Sequence, residues 1–452
     1  MGRVRWRIRG GRSLIGRVRV GGAKNTAFKA MIAALLADGP SVLENVPDVE
    51  DVRVVARAIE ALGGRAMRVA PTTWVIDPRS LAEAHVSADP LERTRASPLL
   101  MVPLMVRFGE ASVPRPGGDR IGRRPLDRVL AGLEALGAHV QEGGERLLVR
   151  GTRLRGAHYR FPKNTHTGTE ALLLAAVCAR GETLLENAAQ EPEVDDLIAF
   201  LNAMGARICR TDERTIRIEG VSQLHGARHR VMPDRNEAVT FACAALATRG
   251  EVEIEDVRPA DVRAFLEVLE EMGAGSRLRG TTWRVWSRGP LRPVVIRTAP
   301  HPGFMTDWQP LIAPVLTQAD GTSVIHETVF ENRFHYAREL QRMGARIEFF
   351  NPPLEDPETV YNFNLDDDRP EFFHAIRIFG PTPLRSARVS AADIRGGAAL
   401  VIAALAAQGE SVVEGIEHLE RGYDRLDVAL RSLGAEIERV EEETLQSDLA
   451  ER

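Results

Sequence analysis

A tag of Leu or Met, then Gly, then Ala or Gly recurs six times along the chain, as ALGG, ALGA, AMGA, EMGA, RMGA and SLGA. Its first glycines are Gly63, Gly137, Gly205, Gly273, Gly344 and Gly434, spaced 74, 68, 68, 71 and 90 residues apart. Each tag closes an amphipathic helical pattern such as VRVVARAIEALGG, where glycine suits the left-handed position after a helix, and a short strand such as RLLVR or RIEFF follows. Each of those helices is preceded by a second one that is apolar nearly all round: AFKAMIAALLADGPSVL, SPLLMVPLMVRFGEASV, EALLLAAVCARGETLL, EAVTFACAALATRGEVEI, DWQPLIAPVLTQADGTSVI and AALVIAALAAQGESVV. A helix without a polar face belongs in an interior. One unit of roughly 70 residues cannot enclose such a helix alone, so the copies must pack together, most simply as three around each of two centres. The expected fold is therefore α/β, with two inside-out barrel-like domains whose helices lie inside.

Composition narrows the class. The 452 residues are 44% hydrophobic and 27% charged, which is ordinary for a globular protein and excludes collagenous, disordered and disulfide-stapled chains. A net charge of −4 argues against a protein that coats nucleic acid or an anionic membrane, and no apolar run reaches the length of a membrane helix. Cys178, Cys209 and Cys243 show no CxxC spacing and read as small buried hydrophobes in a reducing cytoplasm. The arginine-rich start lacks an apolar signal core and alternates like a strand, a turn and a second strand. Of the 59 basic residues only Lys24, Lys29 and Lys163 are lysines.

A polar cluster stands at the mouth of each apolar helix: Lys24-Asn25, Arg95 to Ser97, Thr165 to Glu170, Asp234 to Glu237, Thr306-Asp307 and Asp393 to Arg395. Unpaired N–H groups and the helix dipole make such mouths anion sites. Thr, Asp and Asn there also read as plain N-caps, but Arg and Lys oppose the dipole and are poor caps. Two domains facing each other would line one cleft with these mouths, suited to a ligand bearing several phosphates or carboxylates. The stretch PRPGGDRIGRRPLD, residues 114–127, adds Arg120, Arg123 and Arg124 to a glycine-rich loop that reads as mobile over 114–125. It is not a nucleotide P-loop, because GxxxxGK[ST] is absent. The long last interval comes from NPPLEDPETVYNFNLDDDRP, an insertion placed at about 350–388 that reads as a surface elaboration, with a lid as the alternative. The acidic tail after Val440 reads as frayed.

GGAKN at 21, RASPLL at 95, PGGDRIGRRPLD at 116, ENAAQEPEVDD at 186, MPDRNEAVTF at 232, TAPHPGFMTDWQP at 298, ETVFENRF at 327 and HLERGYDRLD at 418 carry a resemblance over nearly the whole chain. They resemble the enolpyruvyl transferases that act on UDP-N-acetylglucosamine. The related enolpyruvylshikimate-phosphate synthases would show Gly-Ser-Lys-Ser in place of GGAKN. The resemblance implies two inside-out domains of three βαβαββ units each, residues 24–232 and residues 1–23 plus 233–452. It implies transfer of the enolpyruvyl group of phosphoenolpyruvate to the sugar 3-hydroxyl, with release of phosphate and no metal or cofactor. This would be the committed step of peptidoglycan synthesis in the bacterial cytoplasm. By motif, Lys24 contacts phosphoenolpyruvate, Arg124 and Arg421 hold its phosphate, and Arg333 and Arg395 grip its carboxylate. Asp307 would accept or orient the hydroxyl proton. Asn25 and Glu331 would fix the sugar and the closed arrangement, Arg95, Lys163, Thr165 and His166 would reach the substrate phosphates, and Val329 would touch the sugar. Taken alone, His166 reads as a surface or capping histidine.

Val129 stands where many relatives carry a uridine-contacting histidine, and Asn236 where they carry an apolar residue, so a different sugar or cyclic alcohol acceptor is the competing enzyme reading. An RNA terminal-phosphate cyclase or an arginine-rich nucleic-acid binder is disfavoured by the net charge, and steep salt dependence of RNA binding would be its signature. Oligomeric state has no sequence signature here. Asp119 follows Pro-Gly-Gly where many relatives have the cysteine that fosfomycin alkylates, and a carboxyl group with a raised pKa can serve as the acid in its place. The wild-type enzyme is therefore predicted to be insensitive to fosfomycin and Asp119→Cys to become sensitive. Inhibition of the wild type at ordinary doses, with no gain in the variant, would refute this.

Overall fold

The computed structural model describes residues 4–87, 91, 94–118 and 121–441. Among them are six small sheets, five of four strands and one of three. Every four-stranded sheet joins one parallel pair to two antiparallel pairs, as in His158–Arg160, Glu182–Glu186, Thr215–Glu219 and Arg207–Asp212. The chain order within that unit is βαβαββ: the helix His166–Ala176 follows the first strand and Pro192–Ala203 follows the second. The three-stranded sheet has the same plan, with a parallel bridge from His85 to Ser112 standing for the missing edge.

The six apolar runs form the helices Lys24–Ala33, Ser97–Phe108, His166–Ala176, Arg235–Ala247, Trp308–Leu316 and Ile394–Ala406. In Arg235–Ala247 every residue is buried, as the apolar run from Ala238 onward requires, and the polar first turn is buried with it. The last three helices pack on one another in pairs, and Ser97–Phe108 touches both Lys24–Ala33 and His166–Ala176. Two separate cores result, one drawn from residues between Ala27 and Val231, the other from Trp6 to Val20 and Ala238 to Ile437. The six tag glycines take φ between 73° and 101°, ending the outer helices in the left-handed turn that a Cβ would strain.

The arginine-rich start forms the two expected strands, and they join different sheets. Val4–Gly10 is the strand between Gly409–Glu414 and Glu436–Glu441, whereas Ile15–Arg19 lies parallel to Glu251–Glu255 in another sheet. The chain then crosses to the first core beside its own return: Ala23 N donates to Met232 O (2.7 Å) and Asp234 N to Gly21 O (2.9 Å). Cys209 corrects an expectation. It sits on the outer face of its strand and is exposed, while Cys243 is buried and Cys178 intermediate. Alternation along Arg207–Asp212 puts Ile208 inside and Cys209 out.

The long interval is an expanded hairpin tip. Arg346–Phe350 pairs with Ala375–Gly380 as an ordinary sheet hairpin, so the extra chain is 351–374 and not 350–388. The equivalent tips elsewhere are two residues long, for example Gly280-Thr281. The tail beyond residue 441 lies outside the described residues.

Gly380 ends its strand beneath the C-terminus of Trp308–Leu316, where a Cβ would lie 2.2 Å from Ala319 O. Gly10 meets Ala404 O and Ala407 O at the same 2.2 Å under another interior helix. Gly380→Ala is expected to cost about 2 kcal/mol, because the clash is with backbone that must move as a unit. An unchanged urea midpoint would show that the helix end yields freely.

Candidate active site

A cavity of about 300 Å³ lies between the two cores. Five of the six helix mouths open on it, through Lys24 and Asn25, Arg95, Thr165 and His166, Thr306 and Asp307, and Ile394 and Arg395. The fourth mouth does not. Asp234 caps its helix by accepting from Asn236 N and Glu237 N, Glu237 accepts from Gly21 N at the crossover (2.7 Å), and Arg235 makes a buried two-pronged pair with Glu193 (2.9 and 2.8 Å). Asn236 is buried there, accepting from the Trp308 indole (3.0 Å), and so does not line the cavity.

The plain capping reading holds for Thr165, which accepts from Gly168 N (3.1 Å), and for Asp393, which accepts from Arg395 N and Gly396 N. Asp307 stands at a helix start without capping it. Its carboxylate lies instead between Arg333 Nη2 (3.1 Å) and Arg395 Nε (3.2 Å). Burial disfavours the charged carboxylate, but Arg395 and Arg333 outweigh it and lower the Asp307 pKa to about 2. Arg395 lies over the Tyr423 ring, and Arg333 and Arg124 both flank Phe330.

A second carboxylate is held the same way. Asp51 receives Lys24 Nζ (2.8 Å) on one oxygen and Arg421 Nε (3.2 Å) on the other, joining a residue of each core across the cavity. Nothing in the sequence distinguishes Asp51 from the ordinary acidic first turn of the helix Glu50–Ala61. Arg95 donates to Arg124 O (2.8 Å), and burial, with Arg124 nearby, lowers the Arg95 pKa to about 9. Glu331 reaches across to accept from Arg123 N.

His166 lies against Glu170 (3.0 Å) and Lys29 (3.2 Å), and Lys29 also pairs with Glu170 (2.7 Å). Burial opposes protonation of this histidine, but Glu170 prevails and its pKa is raised. Lys29 thus also lines the cavity, a place its sequence context did not suggest.

Of the expected site residues, Lys24, Asn25, Arg95, Arg124, Thr165, His166, Asp307, Val329, Glu331, Arg333, Arg395 and Arg421 line this one cavity, as does Val129. Lys163 is not among them. Its ammonium is taken by Tyr361 O (2.9 Å), Phe363 O (3.0 Å) and Glu358 (2.8 Å), all from the expanded hairpin tip. That tip is no remote elaboration, since Asn362, Phe363, Asn364 and Asp367 form part of the cavity wall. Asp119 lies outside the described residues.

The family described as EPSP synthase (3-phosphoshikimate 1-carboxyvinyltransferase) matches residues 8–428. The chain belongs to that family. It is 43% identical over 442 residues to the UDP-N-acetylglucosamine 1-carboxyvinyltransferase of Koribacter versatilis, covering 96% of each chain, and 42% identical to the protein of that name in Acidobacterium capsulatum, covering 96% and 95%. Among solved structures, the enolpyruvyl transferase NikO from Streptomyces tendae superposes with a TM-score of 0.84 at 25% identity, covering 98% of this chain and all of the other. An EPSP synthase from Acinetobacter baumannii, at 19% identity and a TM-score of 0.67, shares the enolpyruvyl transferase fold. Among the described residues, no helix is long and apolar enough to cross a membrane.

The depressed pKa of Asp307 has a signed consequence. A carboxylate more acidic in the folded state stabilises the fold above its unfolded pKa, near 4, and the contribution fades as pH falls toward about 2. Asp307→Asn is expected to cost about 2 kcal/mol at neutral pH, with the deficit shrinking between about pH 4 and pH 2. Urea titrations that show a deficit independent of pH would contradict the assignment.

Proposed function

We propose that this chain transfers the enolpyruvyl group of phosphoenolpyruvate to the 3-hydroxyl of UDP-N-acetylglucosamine, releasing phosphate, in the cytoplasm and as the first committed step of peptidoglycan synthesis. Residues 24–232 would form one domain, and residues 1–23 with 233–452 the other, with the reaction between them. The observation that carries this reading is the pair of carboxylates, Asp51 and Asp307, each sandwiched between two cations in one cavity. A substrate with one carboxylate and one phosphate can replace them, and the relatives' names supply the acceptor.

In this scheme the sugar hydroxyl oxygen bonds to C2 of phosphoenolpyruvate while a proton is added at C3, giving a tetrahedral ketal. Loss of a C3 proton and departure of phosphate then restore the double bond on the sugar ether. Arg333 and Arg395 hold the carboxylate as two-pronged donors, Arg124 and Arg421 hold the phosphate, and Lys24 sits against the reacting atoms. Asp119 supplies the C3 proton. Asp307 takes the hydroxyl proton or orients the hydroxyl. A carboxylate with a pKa near 2 is a weak base, but a substrate anion that draws Arg333 and Arg395 away removes the cause of that depression. Asn25, Val329 and Glu331 fix the sugar, while Arg95, Thr165 and His166 serve its phosphates.

Phosphate release from phosphoenolpyruvate should require UDP-N-acetylglucosamine and fail with shikimate 3-phosphate; the opposite preference would overturn the acceptor assignment. Lys24→Arg should lower kcat by about a hundredfold or more while leaving the thermal midpoint in place, because a guanidinium cannot exchange a proton near neutral pH. Near-normal turnover would remove Lys24 from the chemistry.

A further inference from the structure

Four equivalent hairpin tips are two-residue turns, Pro71-Thr72, Gly144-Glu145, Glu213-Arg214 and Gly280-Thr281, but residues 351–374 build a folded segment in that place. It is anchored to its own half. Asn362 N donates to Thr328 O (2.7 Å) and the Tyr361 hydroxyl meets His326 Nε2 (3.4 Å), while within the segment His374 N donates to Asn351 Oδ1 (2.8 Å), the Tyr361 and Phe363 rings stack at 4.6 Å and the His374 ring is tilted against both at 4.9 and 5.1 Å.

Its outer edge is bonded to the other half. Arg128 Nη2 donates to Asn362 O (2.6 Å) and Asn364 Oδ1 (3.0 Å), Asn364 Nδ2 donates to Asp127 (3.2 Å), and Asn362 Nδ2 donates to Asn164 O (3.0 Å). Arg123 pairs with Asp367 (2.8 Å). Lys163 completes the set. An ammonium has three donors, and Tyr361 O, Phe363 O and Glu358 account for all three, leaving none for a substrate phosphate while the segment is docked.

We propose that residues 351–374 are a strap that spans the cleft and walls the acceptor's nucleotide end, with Asn362, Phe363 and Asn364 as specificity-determining residues and Lys163 as the latch that holds the strap down. The nucleotide end follows from position. The reacting groups gather around Lys24, Asp307, Arg395 and Arg421, while the strap meets the chain at Asp127 and Arg128, beside Val129, the residue the resemblance places at the uridine. A loop bound on both sides of a cleft commits the ligand it covers, so affinity for the acceptor depends on it more than affinity for the smaller substrate. The inference rests on the acceptor assignment above for its nucleotide part alone.

The test replaces residues 352–373 by a two-residue turn and compares this variant with Lys163→Met and with the combination. Two readouts are taken: hydrogen exchange of amides 121–128 in the unliganded protein, and KM for each substrate. The strap predicts faster exchange at 121–128 in all three variants, an acceptor KM raised by about tenfold or more, and a phosphoenolpyruvate KM within about twofold of wild type. It also predicts that Lys163→Met adds nothing once the strap is gone. Unchanged exchange and unchanged acceptor KM would make the segment a surface elaboration. Full additivity of Lys163→Met with the deletion would return Lys163 to direct phosphate binding. If the deletion does not fold, Asn362→Ala with Asn364→Ala is held to the same two readouts. Exchange is measured without substrate, so failure of UDP-N-acetylglucosamine as acceptor in the wild type would sink the functional reading and leave the strap to be judged on its own.

Discussion

Helices with no polar face can be kept from water only by other helices and by sheets, and this chain has six of them. That constraint orders the rest of the molecule. Each helix must lie inside a ring of sheets, so its polar mouth can emerge only at an end of the ring. The strands exchanged at the crossovers, where Gly21 and Ala23 run beside Met232 and Asp234, hold the two rings next to each other. Five mouths consequently share one cavity, and its charge is set by residues whose place follows from burial some distance away. The fourth mouth, lying at the crossover itself, is used to join the rings.

A cavity rich in guanidinium groups is unfavourable when empty, because buried like charges repel and lose hydration. The protein meets this with its own carboxylates. Asp51 spans Lys24 and Arg421, and Asp307 spans Arg333 and Arg395, so the cations are already positioned and partly desolvated before any ligand arrives. An incoming anion then exchanges one set of ion pairs for another. The gain from such an exchange is modest in total energy but specific in geometry, since each arginine is already aimed. The same exchange acts on the displaced acid: Asp307 is strongly acidic only while both arginines face it.

What the sequence made legible is what burial and local backbone preference determine. Apolar runs marked the interior helices, tag glycines marked their outer neighbours, and the motifs gathered Lys24, Asp307, Arg395 and Arg421, which the fold brings into one cavity. What it hid depends on partners far away in the chain. Asp51 looks like any acid in a first helical turn until Lys24 and Arg421 converge on it. Asn236 looks like a specificity residue, yet it answers a buried indole 72 residues later. The 351–374 segment has the composition of a solvated loop, and only its contacts with residues 123–128 and 163–164, about 200 residues earlier, turn it into part of the site. Cys209 differs from the expected buried thiol because a single step along a strand reverses the facing.

Lysine is so scarce in this chain that its three positions invite a single explanation, and the structure supplies one that is broader than catalysis. An ammonium concentrates its donors on one atom, whereas a guanidinium spreads them over a planar fork. Lys163 meets two carbonyls and a carboxylate that converge on its nitrogen, and Lys29 meets a carboxylate and an imidazole in a buried corner. A fork could satisfy neither set without opening the packing around it. Lys24 faces one carboxylate oxygen at 2.8 Å, a contact a guanidinium could also make, as Arg421 does on the other oxygen of the same group. Convergent geometry therefore accounts for Lys29 and Lys163 but leaves Lys24 unexplained. The property that separates it from the arginine beside it is the ability to give up a proton, and it is this property that the proposed enolpyruvyl transfer would use at residue 24.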